Sequence, residues 1–430
     1  MKHAKSRAAA LALLLAAYAS AAAAAALPIT MTFKNSSGRA GEIYVGFVGG
    51  AGSTLVATDI ATHRPILMST YKAPHWYALS ALKSGIRLAK FLGGRIYVCY
   101  DAPWTFIKDS YEPSPVDSGD ANYYRRYDKM ELTYQGSPYD VADTTSIDYF
   151  SIPMELNVYQ GGTSGKRISS VLASPTDRIV SALSQTTVPA GAAIVTDPKT
   201  KQLARVIGPG AYPPPPGRPV SPYDNFESYL KYLRDDYAPK HGGLLASIKG
   251  RFGGVGEAPT TAPTTRQDYG FKATIDASLD ITLTGSADLV GKHTLKLSHD
   301  ALVGAEGIYG ANPNFSIDGE KPIHPQNDIY GWLIGDLLSG LNIGAVGSTV
   351  KPAGQDKAVG EMNSQDWFKL KQYFGALQPG HPNRYNQWAA TMAPLSQAYN
   401  FAYSDRFAHV VATLDRATVD TLEIVILPDR

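Results

Sequence analysis

The sequence predicts a mainly β protein: a sandwich or barrel of short strands, followed by a mixed α/β portion. Three observations carry this reading. Charged residues make up only 18% of the chain, while Gly, Pro and Tyr number 40, 29 and 26 of 430 residues, a mix suited to turn-rich sheet. From Leu27 to about Thr196, short alternating or β-branched runs are separated by Gly-Gly, Asn-Ser-Ser and Ser-Pro clusters, the punctuation of strands and turns. Beyond Gly208 the hydrophobic period becomes helical in several stretches.

The elements follow in order. Residues 1–26 read as a secretory signal peptide: Lys2, Lys5 and Arg7, then an apolar run from Ala8 to Tyr18, then alanines up to a small-residue cleavage site near Ala26. Its removal would carry the formal charge from +2 to about −1, leaving no basic excess to hold a nucleic acid. No later run is long and apolar enough to suggest a membrane span, so the mature chain is expected to be secreted, either extracellular or periplasmic, and monomeric. Strands are expected at Ile29 to Lys34, Glu42 to Val48, Arg95 to Tyr100, Lys129 to Tyr134 and Ser146 to Tyr159. They define a β domain over 27–205. The proline run after Tyr212 is a stiff connector into an α/β domain over 206–407. There, helices are expected at Asp224 to Ala238, Ile329 to Leu341, Ser364 to Leu377 and Tyr385 to Met392. One long strand is expected at Phe271 to Leu283, whose odd-numbered positions from Phe271 are all apolar. Two last strands, Ala408 to Leu414 and Leu422 to Leu427, close the chain and are placed to rejoin the first sheet.

The segment from Tyr127 to Tyr159 carries the chemistry. Read as two antiparallel strands with Glu131 facing Asp148, it places Met130 and Leu132 opposite Tyr149 and Ile147 on an apolar face. Lys129, Glu131 and Thr133 then share the other face with Asp148. Period-2 alternation sorts core from cleft in both strands at one register. Like charges directly opposite destabilise a sheet, whereas glycoside hydrolysis needs two carboxyl groups, one protonated and one ionised. A solvated sheet face with Lys129 screening the pair is the structural alternative. A directly opposite pair, with Cβ atoms about 4.5–5.5 Å apart, is also close for an inverting pair at roughly 6.5–9.5 Å.

At these residues the chain resembles glycoside hydrolase family 64, the β-1,3-glucanases related to thaumatin-like proteins. The resemblance is carried by GGRIYVCY (Gly93 to Tyr100), YDKMELTY (Tyr127 to Tyr134) and SIDYFSIPMELNVY (Ser146 to Tyr159). It continues through DIYGWLIGDLLSGLNIGAV (Asp328 to Val346) and RYNQWAATMAPLSQAYNFAYSDRF (Arg384 to Phe407). It implies a thaumatin-like β-sandwich or barrel domain and an α/β domain flanking a wide groove. It further implies endo-acting, inverting hydrolysis of a laminarin- or curdlan-like β-1,3-glucan without cofactor or metal, with Glu131 as general acid and Asp148 as general base. Thr133 and Thr145 match threonines that contact sugar. Gln135 and Tyr139 stand where relatives tend to carry Asn and Trp, and Tyr403-Ser404-Asp405 lacks one acidic residue of a Tyr-Asp-Asp-like site. The alternative is a non-catalytic, thaumatin-like β-glucan-binding protein using the same groove.

Other residues carry weaker signals. Trp76, in the loop-like Pro74-His75-Trp76-Tyr77, is a candidate sugar platform, and Asp101, just past a strand end, a candidate cleft residue. The histidines form no ligand spacing, so no metal is expected. No Gly-x-Ser-x-Gly elbow occurs. Cys99 reads as a small core residue.

Overall fold

The computed structural model describes residues 28–429 apart from 172, 213–219, 254–265, 305, 311, 327 and 407–409. The expected signal peptide, most of the proline run and the start of the expected strand from Ala408 lie outside the described residues. The strands, in chain order, are β1 (Ile29–Asn35), β2 (Ile43–Asp59), β3 (Tyr77–Ala78), β4 (Ile86–Tyr100), β5 (Tyr127–Thr133), β6 (Val141–Thr144), β7 (Tyr149–Phe150), β8 (Met154–Gln160) and β9 (Lys166–Val171). They continue as β10 (Ile194–Thr196), β11 (Leu203–Ile207), β12 (Leu244–Phe252), β13 (Gln267–Ile275), β14 (Ile281–Ala287), β15 (Gly291–Leu297), β16 (Ser316–Ile317), β17 (Ala412–Thr413) and β18 (Thr421–Ile426).

The protein is mainly β, and its largest sheet is curled into a half-barrel. That sheet runs β17-β6-β5-β4-β1-β18-β8-β9, with β2 on β4 and β3 on β2. β4 bends through it: Ile86 to Leu88 pair with β1, and Arg95 to Cys99 pair with β5. β2 follows β4 from Asp59 to Ile43, with register shifts at Gly49/Thr54 and Val56/Ala57. Such bulges strengthen the local twist. Both strands are longer than their sequence suggests, because glycines interrupt the apolar pattern. Gly94 is needed for packing: a Cβ there would lie 2.8 Å from the Phe91 ring and 2.9 Å from the Val48 carbonyl oxygen. β18 pairs parallel with β1, so the last strand lies at the middle of the first sheet.

Alternation sorts the two faces of this sheet. Ile96 and Val98 of β4, Met130 and Leu132 of β5, Leu156 and Val158 of β8, and Leu422 and Ile424 of β18 fill one core. Each such side chain contributes about 1.5–3 kcal/mol on full burial. On the other face of β4 and β5, Tyr97, Cys99 and Tyr127 join Trp104, Phe106, Tyr111 and Tyr149 in an aromatic cluster.

A second core lies under the antiparallel sheet β12-β13-β14-β15-β16. It includes the helix Ile329–Asn342, in which Leu333, Ile334, Leu337, Leu338 and Leu341 are all fully buried. Asp328 caps this helix by accepting from the amides of Tyr330 and Gly331. A third sheet, β10-β11-β7, joins the segment after Asp148 to Leu203–Ile207.

Three expected elements are revised. Phe271 to Leu283 is a hairpin, β13–β14, in which Ile275 pairs with Ile281. Alternation is kept across it, but the chain reverses where Asp276 Oδ1 accepts from the amides of Ser278 and Asp280, and Leu279 takes φ +68°. Asp side chains stabilise turns in this way. Ser146 to Tyr159 is two strands broken at Ser151-Ile152-Pro153, since proline cannot donate to a ladder. The helix expected from Ser364 to Leu377 stops at Trp367, and Phe374, at φ +59°, starts a separate short turn.

Candidate active site

β5 pairs with β6 so that Glu131 faces Asp143, with Met130 opposite Thr144 and Leu132 opposite Ala142. This corrects the register read from sequence, in which Glu131 faces Asp148. The strand following β5 begins at Val141, five residues earlier than that register requires. The apolar assignment of Met130 and Leu132 is unaffected, because it rests on alternation within β5 itself, whereas the odd shift in register exchanges the partner residues that share each face. Tyr149 instead joins the aromatic cluster on the opposite face.

Glu131 projects from β5 into a cleft of about 1280 Å³. The floor is the edge of β4 and β5, and the walls are the turn of β2 and the loop Phe106–Glu112. The Glu131 side chain is 46% exposed, so a polymer in the cleft could reach it. Its cross-strand neighbour on β4 is Arg95, whose Nε donates to Glu131 Oε1 at 2.9 Å. The same guanidinium donates from Nη1 to both oxygens of Glu112, at 2.8 and 2.9 Å. Burial opposes the Arg95 charge, but Glu112 and then Glu131 outweigh it and hold the guanidinium firmly protonated. Tyr97, buried beside them, is pushed well above its usual range, first by burial and then by Glu112.

Asp148 lines an adjoining cleft with Tyr97, Tyr127, Lys129, Tyr149, Gly210 and Ala211. Glu112 is in the wall of both clefts. Lys129 Nζ donates to Asp148 Oδ2 at 2.5 Å, and the ammonium sits 5.3 Å from the centre of the Tyr149 ring. The Lys129 side chain is only 6% exposed against 40% for Asp148. The lysine is therefore a buried support and the carboxylate its accessible end.

Distant parts of the chain fix this carboxylate. The amide of Ser146 donates to the Tyr399 carbonyl, and the Ser146 carbonyl accepts from the Trp388 indole at 3.0 Å. The Gly208 amide donates to the Asp148 carbonyl at 2.7 Å. A Cβ on Gly208 would lie 2.4 Å from the Ile147 carbonyl oxygen, so only glycine allows this approach. Beneath the site, Asp128 accepts from the amides of Lys129, Ser151 and Ile152, and burial pushes its carboxyl up to about 7.

The other sequence candidates are dispersed. Thr133 lines the Glu131 cleft. Thr145 is buried in a small cavity behind Lys129 with Asp128 and Ser396. Gln135 and Tyr139 lie on the loop after β5 and line neither cleft; Asp140 organises that loop by accepting from the amides of Gln135, Gly136 and Ser137. Trp76 packs edge-on to Trp104 at 5.1 Å and against Gly46, inside the aromatic cluster and not on the cleft surface. Asp101 is a turn residue at φ +64°, bonded to Arg39 at 2.8 Å, and lines neither cleft. Arg95, Glu112 and Asp143 did not emerge from the sequence reading. Arg95 follows two glycines in a recognisable strand, but Glu112 lies in an irregular loop with no periodicity to mark it.

Two half-exposed carboxylates thus stand in adjoining clefts, Glu131 on Arg95 and Asp148 on Lys129, and paired carboxyl groups are what glycoside hydrolysis requires. The family model for β-1,3-glucanases, glycoside hydrolase family 64, matches residues 27–253, more than half of the chain, and the protein belongs to that family. No curated protein sequence matches the chain. Among solved structures it is similar to a laminaripentaose-producing β-1,3-glucanase in complex with laminaritetraose, at TM-score 0.55 and 16% identity over 94% of this chain and 99% of that one. It is also similar to a β-1,3-glucanase domain from Clostridium beijerinckii (TM-score 0.52, 14% identity, 93% and 98% covered). A third is the laminaripentaose-producing β-1,3-glucanase from Paenibacillus barengoltzii complexed with laminarihexaose (0.51, 13%, 95% and 78%). At these identities the likeness concerns the fold.

Proposed function

We propose that the exported protein cleaves β-1,3-glucan internally and with inversion, Glu131 acting as general acid and Asp148 as general base. The observation that carries this is the placement of the two carboxylates in adjoining clefts with Glu112 in the wall of both. In this reading Glu131 delivers its proton to the glycosidic oxygen as the bond to the anomeric carbon breaks. Water attacks that carbon from the opposite face and passes a proton to Asp148, giving an α-anomer.

The revised register removes Asp148 from the position directly across from Glu131 and is compatible with inversion. Asp143, directly across from Glu131, occupies a spacing too short for the attacking water. Asp148 lies beyond the end of β6 and is bonded to Lys129, two residues from Glu131 on β5. The glucan oligosaccharides bound by two of the similar structures agree with a polymer of β-1,3-linked glucose as the occupant. The Glu131 cleft is open and offers Tyr71, Phe106 and Ile107 as apolar contacts for sugar faces.

The test is reducing-sugar release from laminarin by the wild type, Glu131→Gln and Asp148→Asn, with product anomers followed by NMR. Activity in the wild type, near-complete loss in both variants and an initial α-anomer are expected. A wild type that binds laminarin and curdlan without cleaving either would make the protein a glucan-binding relative and remove the assignment.

A further inference from the structure

We infer that Glu112 is a positioning residue for the reaction, acting through Arg95 to set how strongly Glu131 holds its proton. The inference rests on the assignment of Glu131 as the acid. Arg95 is the only cation bonded to Glu131 among the described residues, and it is divided between two carboxylates: one bond to Glu131 and two to Glu112. A cation bonded to an acid favours loss of its proton. A second carboxylate on the same guanidinium neutralises that cation and works the other way. Glu112 therefore compensates for the very residue that orients Glu131.

The groups around Glu131 allow the sign to be worked out. Arg95 comes from β4, Lys129 is two residues away on the same face of β5, and Asp143 faces it from β6. The loop over the cleft contributes Glu112, Lys108 and Asp109, and Asp148 lies in the adjoining cleft. Lys129 is committed to Asp148. Removing the Glu112 charge leaves Arg95 acting on Glu131 alone, so the acid loses its proton at lower pH. Removing the Arg95 charge acts in the opposite direction. Glu112 touches no reacting atom in this scheme, and its 44% exposed side chain makes Glu112→Gln compatible with folding.

The experiment measures kcat against pH on laminarin for the wild type, Glu112→Gln, Glu112→Asp and Arg95→Gln, with melting temperature as the folding control. Glu112→Gln is expected to keep the acidic plateau and move the alkaline limb down by about 0.5–1 pH unit, a loss of about 3–10-fold at a fixed pH on that limb. Arg95→Gln should move the limb up, and Glu112→Asp should lie near the wild type. On an aryl β-1,3-glucoside with a dinitrophenyl leaving group, which needs no proton, the Glu112→Gln deficit should disappear. Limbs unmoved in both charge-removing variants, or an equal deficit on both substrates, would overturn the inference and make Glu112 a sugar contact or scaffold. Glu131→Gln is assayed in parallel: if it retains wild-type activity, the assignment of the acid has failed, and if it is inactive while the limbs stay fixed, only the role of Glu112 has failed.

Discussion

Lys129→Met separates stability from function at this site. The ammonium is almost wholly buried and meets Asp148 Oδ2 at 2.5 Å. At that separation, with an effective dielectric of about 20, the gross attraction is several kcal/mol. Burying the ammonium costs a similar amount, and Asp148, 40% exposed, can return to water when its partner goes. Methionine fills most of the same volume and packs on the Tyr149 ring, at present 5.3 Å from the ammonium. The two large terms nearly cancel, so global stability should change by no more than about 1 kcal/mol, a shift in Tm within about 3 °C. Activity should respond differently. Asp148 would lose the one side-chain bond that aims it among the described residues, and a displacement of about 1 Å in a reacting group costs on the order of 100-fold, or about 2.7 kcal/mol in the barrier. Thermal unfolding and laminarin hydrolysis measured on the same preparation decide the matter. Wild-type kcat in Lys129→Met would refute the positioning role, and a loss of stability above about 3 kcal/mol would show that the pair is a net contributor to folding.

Three further outcomes can be measured. Asp336→Ala should cost about 3–5 kcal/mol in chemical denaturation, because buried Asp336 accepts from Tyr269 and Ser364 and is ion-paired with Arg406, whose guanidinium burial already lowers to about 10. Asp128 is raised by burial from 3.8 to about 7, so the folded state binds a proton that the unfolded state has released between those values. Stability should therefore fall as pH rises through that window, and Asp128→Asn should flatten the slope in urea titrations between pH 4 and pH 7. Tyr71→Ala, at an exposed ring in the Glu131 cleft, should raise KM for laminarin by about 3–10-fold with kcat unchanged, as expected when binding common to the ground and transition states is lost. A fall in kcat alone would place Tyr71 elsewhere in the cycle.

The alternating patterns and caps in the sequence were sufficient for much of the secondary structure. β1, the second half of β5 and the helix Ile329–Asn342 follow local rules: alternating burial in the strands, and an Asp cap before an apolar run in the helix. The same parity put Met130 and Leu132 in the core and Glu131 on the cleft face, whatever strand lay opposite. Parity within β5 could not choose the partner, because β5 keeps its own alternation whichever strand lies opposite, while an odd shift in register exchanges the partner residues that share each face. Only the tertiary structure decided that Asp143 faces Glu131. It also decided that Asp148 is held by Lys129, by Gly208 and by Trp388 and Tyr399 through Ser146. Those partners come from segments up to about 250 residues away in sequence, and no local pattern encodes such contacts. Glu112 was hidden for the same reason: an irregular loop has no period, and its position over the cleft is fixed by Arg95, a residue of another element.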